Sequence, residues 1–190
     1  MKRPQEYITG IEYWSNPDLQ QNGKKDYLND VIRRRYYEEI IKSLYEIFDK
    51  EDTFTLHELG CGWGTNLGAI NAAFPNAKIS ANDIWKDAID YVQTNRPYVD
   101  IIEMDTFDFI KMKITSNVVY DVIITNAHLI HFKDESLEEI KNLHKICKYA
   151  VIQENISGLE KVVLSMESKV RHMDNMPDSD YQYLFKRESI

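Results

Sequence analysis

Cysteine is scarce in this 190-residue chain, with Cys61 and Cys147 the only two. Two cysteines supply neither a disulfide framework nor a metal-ligand spacing. Long apolar runs are missing as well. None approaches the roughly 18–20 residues that a membrane span needs, and Met1–Glu6 is followed by no apolar signal region. Cytoplasm is the resulting expectation. Positive charge is also short, with 23 Lys and Arg against 31 Asp and Glu, a formal net charge of −8. That balance argues against broad, sequence-independent binding to phosphate backbones. The one basic cluster, Arg33-Arg34-Arg35, reads first as a solvated face or as partners for nearby acids, with a phosphate patch as the alternative. There is no internal repeat and no low-complexity tract. What remains is an ordinary globular composition, 43% hydrophobic and 28% charged, long enough for one domain with a substantial core.

Glycine is sparse too, yet three of the seven fall within five residues, in Glu58-Leu59-Gly60-Cys61-Gly62-Trp63-Gly64-Thr65. The preceding Thr55–Leu59 reads as a buried strand, and Asn66–Phe74 carries a helical pattern. Strand, glycine turn and helix in that order make a nucleotide-binding loop: glycine lets the chain turn sharply and a ligand approach the backbone, and the helix start offers unpaired N–H groups. A dinucleotide fingerprint reads G-x-G-x-x-G. Gly60 and Gly62 fit it, but Thr65 stands at the third position and the extra glycine is Gly64, which disfavours a nicotinamide dehydrogenase. Ala77–Asn82 follows as a second strand with Asp83 at its end, 23 positions after Gly60. That is close to the ~20 expected between a glycine loop and an acid that binds ribose hydroxyls. A carboxylate there could accept from both hydroxyls; it could also cap the following helix.

Further strands are expected at Val99–Met104, at the β-branched run Val118–Thr125 and at Lys148–Asn155, with helices from Asp87 to Thr94, from Phe107 to Lys113 and from Asp134 onward. Alternation of this kind predicts an α/β fold, a mostly parallel central sheet with helices on both faces. Before it, Asp26–Lys50 is helical in pattern, as one helix or two, and residues 1 to about 25 form a polar, aromatic arm with Tyr7, Tyr13 and Trp14. The expected organisation is residues 1–50 packed on a core of 51–190. After Gly158, Lys161–Glu167 and Tyr181–Lys186 are strand-like around a polar loop.

Glu58-x-Gly60-x-Gly62-x-Gly64 resembles the first motif of the class I S-adenosylmethionine (SAM)-dependent methyltransferases. Three further stretches resemble later motifs in the right order: Asp83-Ile84, Asp105-Thr106, and Asn126-Ala127-His128-Leu129-Ile130-His131-Phe132. The last is most similar to the "vLiHi" loop of small-molecule methyltransferases such as the pseudaminic acid biosynthesis-associated methylases. It lacks the N-P-P-Y signature of amino-methylating nucleic-acid enzymes. The resemblance covers about residues 50–155 and implies a Rossmann-like class I methyltransferase fold. The fold normally closes with an antiparallel hairpin, which the two segments after Gly158 could supply. Leu184-Phe185-Lys186-Arg187 alternatively resembles a segment that precedes that hairpin in the pseudaminic acid-associated methylases, which would make the chain truncated or this region a flap.

The resemblance also implies SAM as cofactor, no metal, and site roles. Glu58 would help hold the methionyl amine. Gly60, Cys61, Gly62 and Gly64 would wrap the methionine part. Asp83 would bind the ribose and Ile84 pack on the adenine. Asp105, with Thr106 beside it, would bond the adenine amino group, a role compatible with capping the next helix. Asn126 could bond the methionyl amine or the acceptor. An imidazole suits proton removal at neutral pH, so His128 and His131 are the candidate bases; His131 is favoured because family members often carry a histidine at the matching place. His57 and His144 read as structural. The expected acceptor is a small molecule, perhaps a sugar or sugar-nucleotide. An RNA or protein methyltransferase and a non-catalytic SAM-binding module are the alternatives.

Overall fold

A computed structural model of the chain describes residues 31–129, 138–154, 169–172 and 181–186. Its elements are α1 (Val31–Tyr45), β1 (Thr55–Leu59), α2 (Thr65–Ala73), β2 (Lys78–Asp83), α3 (Lys86–Asn95), β3 (Val99–Glu103), α4 (Thr106–Thr115), β4 (Tyr120–Asn126), a 3-10 turn (Glu138–Asn142), α5 (Leu143–Ile146), β5 (Cys147–Glu154), β6 (Lys169–His172) and β7 (Tyr181–Lys186). The strands form one sheet in the order β3-β2-β1-β4-β5-β7-β6. β1 to β5 are parallel, while β7 runs antiparallel to β5 and to β6. The order reverses between β1 and β4, so the carboxyl ends of those strands border the crevice where open α/β sheets bind ligands.

Side-chain alternation along the strands divides the core in two. On one face Leu56, Ile79, Ala81, Val122, Ile124 and Val151 pack with Ile40 and Leu44 of α1, Leu67 and Ile70 of α2 and Val92 of α3. On the other, Leu59, Ile123, Ala150 and Ile152 pack with Phe109 and Ile110 of α4 and Leu143 and Ile146 of α5. Helices therefore cover both faces, as the alternating pattern predicts. Among the described residues no helix is long and apolar enough to cross a membrane.

The structure differs from the sequence pattern in three places. Val118 and Val119, expected to open the fourth strand, are 38% and 40% exposed. Asn117 takes a left-handed φ of 53° directly after α4, and pairing with β5 begins only at Tyr120. The helix expected from Asp134 is, over its described part, a 3-10 turn and a single α turn, although Ile140, Leu143 and Ile146 are buried as its period requires. A terminal hairpin is present, but its first strand is Lys169–His172. The strand expected at 161–167 lies outside the described residues, as do the arm expected over residues 1 to about 25 and the first residues, 26–30, of the helical pattern after it.

Candidate cofactor site at the carboxyl ends of the strands

The glycine turn is built on positive backbone angles. Gly60, Gly62 and Gly64 have φ of 65°, 50° and 67°, the left-handed region that costs a side-chain-bearing residue about 1 kcal/mol or more. The turn is tied to the adjacent strand: Gly60 N and Cys61 N donate to the Asn82 carbonyl at 3.0 and 3.2 Å. Gly62 N donates to Asp83 Oδ2 at 2.7 Å. The acid at the end of β2 and the glycine turn after β1 thus meet directly, because β1 and β2 are in register through Leu59 and Asn82.

Asp83 is already heavily used. Its Oδ1 accepts from Ile84 N at 2.8 Å and Trp85 N at 2.9 Å. A carboxylate offers about four acceptor positions, so one remains on Oδ2 in this conformation. Asp83 can receive one ribose hydroxyl as it stands; a second requires Gly62 N–H to give up its bond. Burial raises the Asp83 pKa against the pull of those backbone donors.

Glu58 faces the same turn from β1. It is 1% exposed, and Asn66 Nδ2 donates to its Oε1 at 2.6 Å. Oε2 has no hydrogen-bond partner, nor has the buried hydroxyl of Thr65. Burial pushes the Glu58 pKa up to about 8, so in this state it carries a proton at neutral pH. A buried, unsatisfied carboxyl oxygen is costly unless something meets it, and an ammonium is a suitable complement. The Gly60 α-carbon, by contrast, is closed off by protein. A Cβ there would lie 2.0 Å from His128 Nδ1.

His128 comes from the turn after β4, where Ala127 has a φ of 50° and donates its N–H to the Gln153 carbonyl at 3.0 Å. The imidazole crosses to α4, its Nε2 2.7 Å from Thr106 Oγ1. Thr106 is buried, and Asn82 Nδ2 approaches the same hydroxyl at 3.4 Å. Asp105 caps α4, its Oδ1 accepting from Phe107 N at 2.8 Å and Asp108 N at 3.3 Å. Asn126 ends β4, with Gln153 Nε2 at 3.4 Å from its Oδ1. Cys61 is buried, and burial raises its thiol pKa well above the ordinary value. Glu58, Gly60, Cys61, Gly62, Gly64, Asp83, Ile84, Thr106 and His128 therefore lie in one connected cluster, with Asp105 and Asn126 at adjoining strand ends. His131 lies outside the described residues.

His57 sits beneath this cluster, stacked on Phe109 with ring centroids 3.9 Å apart. Asn82 turns its amide nitrogen to the Met104 carbonyl at 2.9 Å, so its oxygen accepts from His57 Nε2 at 3.0 Å. Nδ1 faces the Ser80 hydroxyl at 2.8 Å, and that hydroxyl also donates to the Leu56 carbonyl at 3.1 Å. Burial lowers the His57 pKa to about 3, and the ring stays neutral.

Sequence reasoning missed Asn66, Asn82 and Arg96. Asn66 and Asn82 adjoin recognised motif residues, and their polarity inside apolar elements was the available signal. Arg96 donates from Nε to the Gly64 carbonyl at 2.7 Å from a position 32 residues away, and nothing local announces it.

Residues 57–149 match the family described as methyltransferase domain. No curated protein matches the chain in sequence. Solved structures do match in fold. The plantazolicin methyltransferase BpumL, in complex with a monoazolic desmethylPZN analog and SAH, superposes with a TM-score of 0.70 at 15% identity, over 94% of each chain. A TehB-like SAM-dependent methyltransferase from Corynebacterium glutamicum gives 0.68 at 16% identity, over 91% of this chain and 100% of that one. A SAM-dependent methyltransferase from Agrobacterium tumefaciens gives 0.60 at 13% identity over 80% of this chain, which spans only 61% of its length.

Proposed function

We propose that the chain is a class I SAM-dependent methyltransferase, a reading supported by the match of residues 57–149 to the methyltransferase-domain family and by the fold shared with solved SAM-dependent methyltransferases, and that it methylates a small-molecule acceptor, a sugar or sugar-nucleotide hydroxyl or amine being the leading class. The observation that carries the site assignment is the 2.7 Å bond between Gly62 N and Asp83 Oδ2. It brings the glycine turn and the ribose-binding candidate within reach of one nucleoside.

SAM supplies a methyl group on a sulfonium, already attached to a good leaving group. The residues proposed to hold it are Glu58, Gly60, Cys61, Gly62, Gly64, Asp83, Ile84, Asp105, Thr106 and Asn126. Glu58 would meet the ammonium with its unpartnered Oε2, losing its proton as it does so. Asp83 would accept a ribose hydroxyl at its remaining position. The protein's further tasks are to align the acceptor, worth on the order of 7–11 kcal/mol, and to take the acceptor's proton. We assign that proton to His131. His128 is the second candidate, but its Nε2 is engaged by Thr106 and its Nδ1 lies against Gly60, which suits a ring that positions the turn.

A small acceptor is favoured by the net charge of −8 and the absence of an N-P-P-Y loop. The solved complex of BpumL with a desmethylPZN analog and SAH supports the reading that this fold can hold a further molecule together with the spent cofactor. Incubation with methyl-labelled SAM and either a metabolite extract or a macromolecular fraction tests the proposal. Label should enter the small-molecule fraction. Label in RNA or protein would replace the acceptor class, and SAH binding without transfer to either fraction would favour a binding module.

A further inference from the structure

Arg96 ends α3: its backbone N–H donates to the Val92 carbonyl as the helix cap. Its side chain leaves that helix and crosses to the start of α2, where Nε donates to the Gly64 carbonyl at 2.7 Å. The same carbonyl accepts Gly68 N at 3.2 Å as the first bond of α2. A Cβ on Gly64 would lie 3.3 Å from Arg96 Cδ and Nε and 2.9 Å from Val92, and one on Gly68 would lie 3.3 Å from Arg96 Nη2. Two glycines are thus cut away where this one guanidinium runs. Its outer end lies over Tyr91, 5.7 Å from the ring centroid, and Tyr91 meets Trp63 of the glycine turn edge-on at 5.3 Å. Trp63 in turn meets Trp85, beside Asp83, at 4.8 Å.

A cation at a helix start opposes the helix dipole, whereas one at a helix end agrees with it. Arg96 gains at α3 and loses at α2, so dipole energy alone does not explain its place. What it does achieve is mechanical. The Gly64 carbonyl fixes the exit of the turn, the Gly62 N–H at its middle bonds Asp83, and Gly60 N bonds Asn82 at its entry. Arg96 holds the only one of these three points that reaches the turn from the far end of α3.

We propose that Arg96 is a positioning residue for the cofactor: by holding the Gly64 carbonyl and the Tyr91–Trp63–Trp85 cluster, it sets the glycine turn in its binding shape before the ligand arrives. Preorganisation of this kind raises affinity by removing the ordering cost from binding. The inference rests on the site reading above.

Calorimetric titration with SAH tests it on wild type, Arg96→Ala and Arg96→Lys, each also followed by thermal melting and by hydrogen exchange across residues 60–68 without ligand. Arg96→Ala should bind SAH about tenfold more weakly, the loss expected for one charge-assisted hydrogen bond. Its turn amides should exchange faster in the ligand-free protein, and Arg96→Lys should fall between. An Arg96 that serves stability alone would lower the melting temperature and leave SAH affinity within twofold of wild type in both variants, which would overturn the proposal. If Arg96→Ala does not fold, Arg96→Lys decides: weaker SAH binding at a near-native melting temperature supports the role, and unchanged affinity ends it. Failure of wild type to bind SAH would remove the site reading itself, and the proposal with it.

Discussion

The two ends of the parallel strands are built on opposite principles. At the amino end, Asp121 Oδ2 accepts from Thr55 N at 2.8 Å and Thr55 Oγ1 at 2.9 Å, Asp121 Oδ1 accepts from Lys148 Nζ at 2.6 Å, and Thr55 Oγ1 receives Asp121 N at 2.9 Å. Those partners hold the Asp121 carboxyl below the usual range, against its own desolvation. At the carboxyl end, Glu58 Oε2 and Thr65 Oγ1 are buried with no partner, and burial pushes the carboxyls of Glu58 and Asp83 upward. Both ends belong to the same parallel sheet, and β1 contributes Thr55 to one and Glu58 to the other, so the contrast is not one of fold. A closed polar network contributes to folding; an open one withholds that contribution and keeps acceptors for a ligand.

The comparison can be broken at either end. The largest effect is expected at the open end: Asp83→Ala should weaken SAH binding about 100-fold, because it removes the proposed ribose acceptor and the anchor of Gly62 N–H together. Calorimetry measures this, and an affinity within a few-fold of wild type would contradict the assignment. Glu58 comes next, through pH. Its pKa is near 8 in the folded chain against an ordinary 4.5, so the folded state keeps a proton that the unfolded chain releases. The resulting stabilisation is complete below pH 4.5 and is lost as pH rises through 8. The fall in melting temperature from pH 5 to pH 8.5 should be larger in wild type than in Glu58→Gln by roughly 5 °C or more. An equal fall would show that Glu58 ionises normally.

At the closed end, Asp121→Ala should cost about 1–3 kcal/mol of stability while leaving SAH affinity unchanged. Denaturant melts and the same titration separate the two readouts. The smallest effect concerns the contact between Gly60 and His128. Gly60→Ala should weaken SAH binding about tenfold, since a methyl there meets the imidazole and sits at a left-handed φ. Adding His128→Ala should restore the steric part of that loss and leave the backbone part. Strictly additive losses in the double variant would mean that the ring does not press on the glycine in solution.

How much of this was readable beforehand follows the range of each interaction. The order of strands and helices, the glycine turn and Asp83 are local patterns, and they lie where periodicity and spacing put them. Val118 and Val119 misled because β-branched, apolar residues score as strand whether or not a partner strand reaches them, and a left-handed Asn117 holds them short of one. The saturation of Asp83 was not readable, since three of its four acceptor positions are taken by backbone groups whose direction only the folded turn sets. Arg96 was invisible for the same reason: its partner is a carbonyl brought near by two helices packing on one sheet face. His131 and the segments at 1–30 and 155–168 lie outside the described residues, and the assignment of the base stays with the motif.

The most direct test is a crystal structure of the protein with SAH. The account predicts the adenosine lying across the ends of β1 and β2, a ribose hydroxyl on Asp83 and the amino group within reach of Glu58. A nucleoside seated elsewhere, with Asp83 still bonded only to Gly62, Ile84 and Trp85, would contradict it.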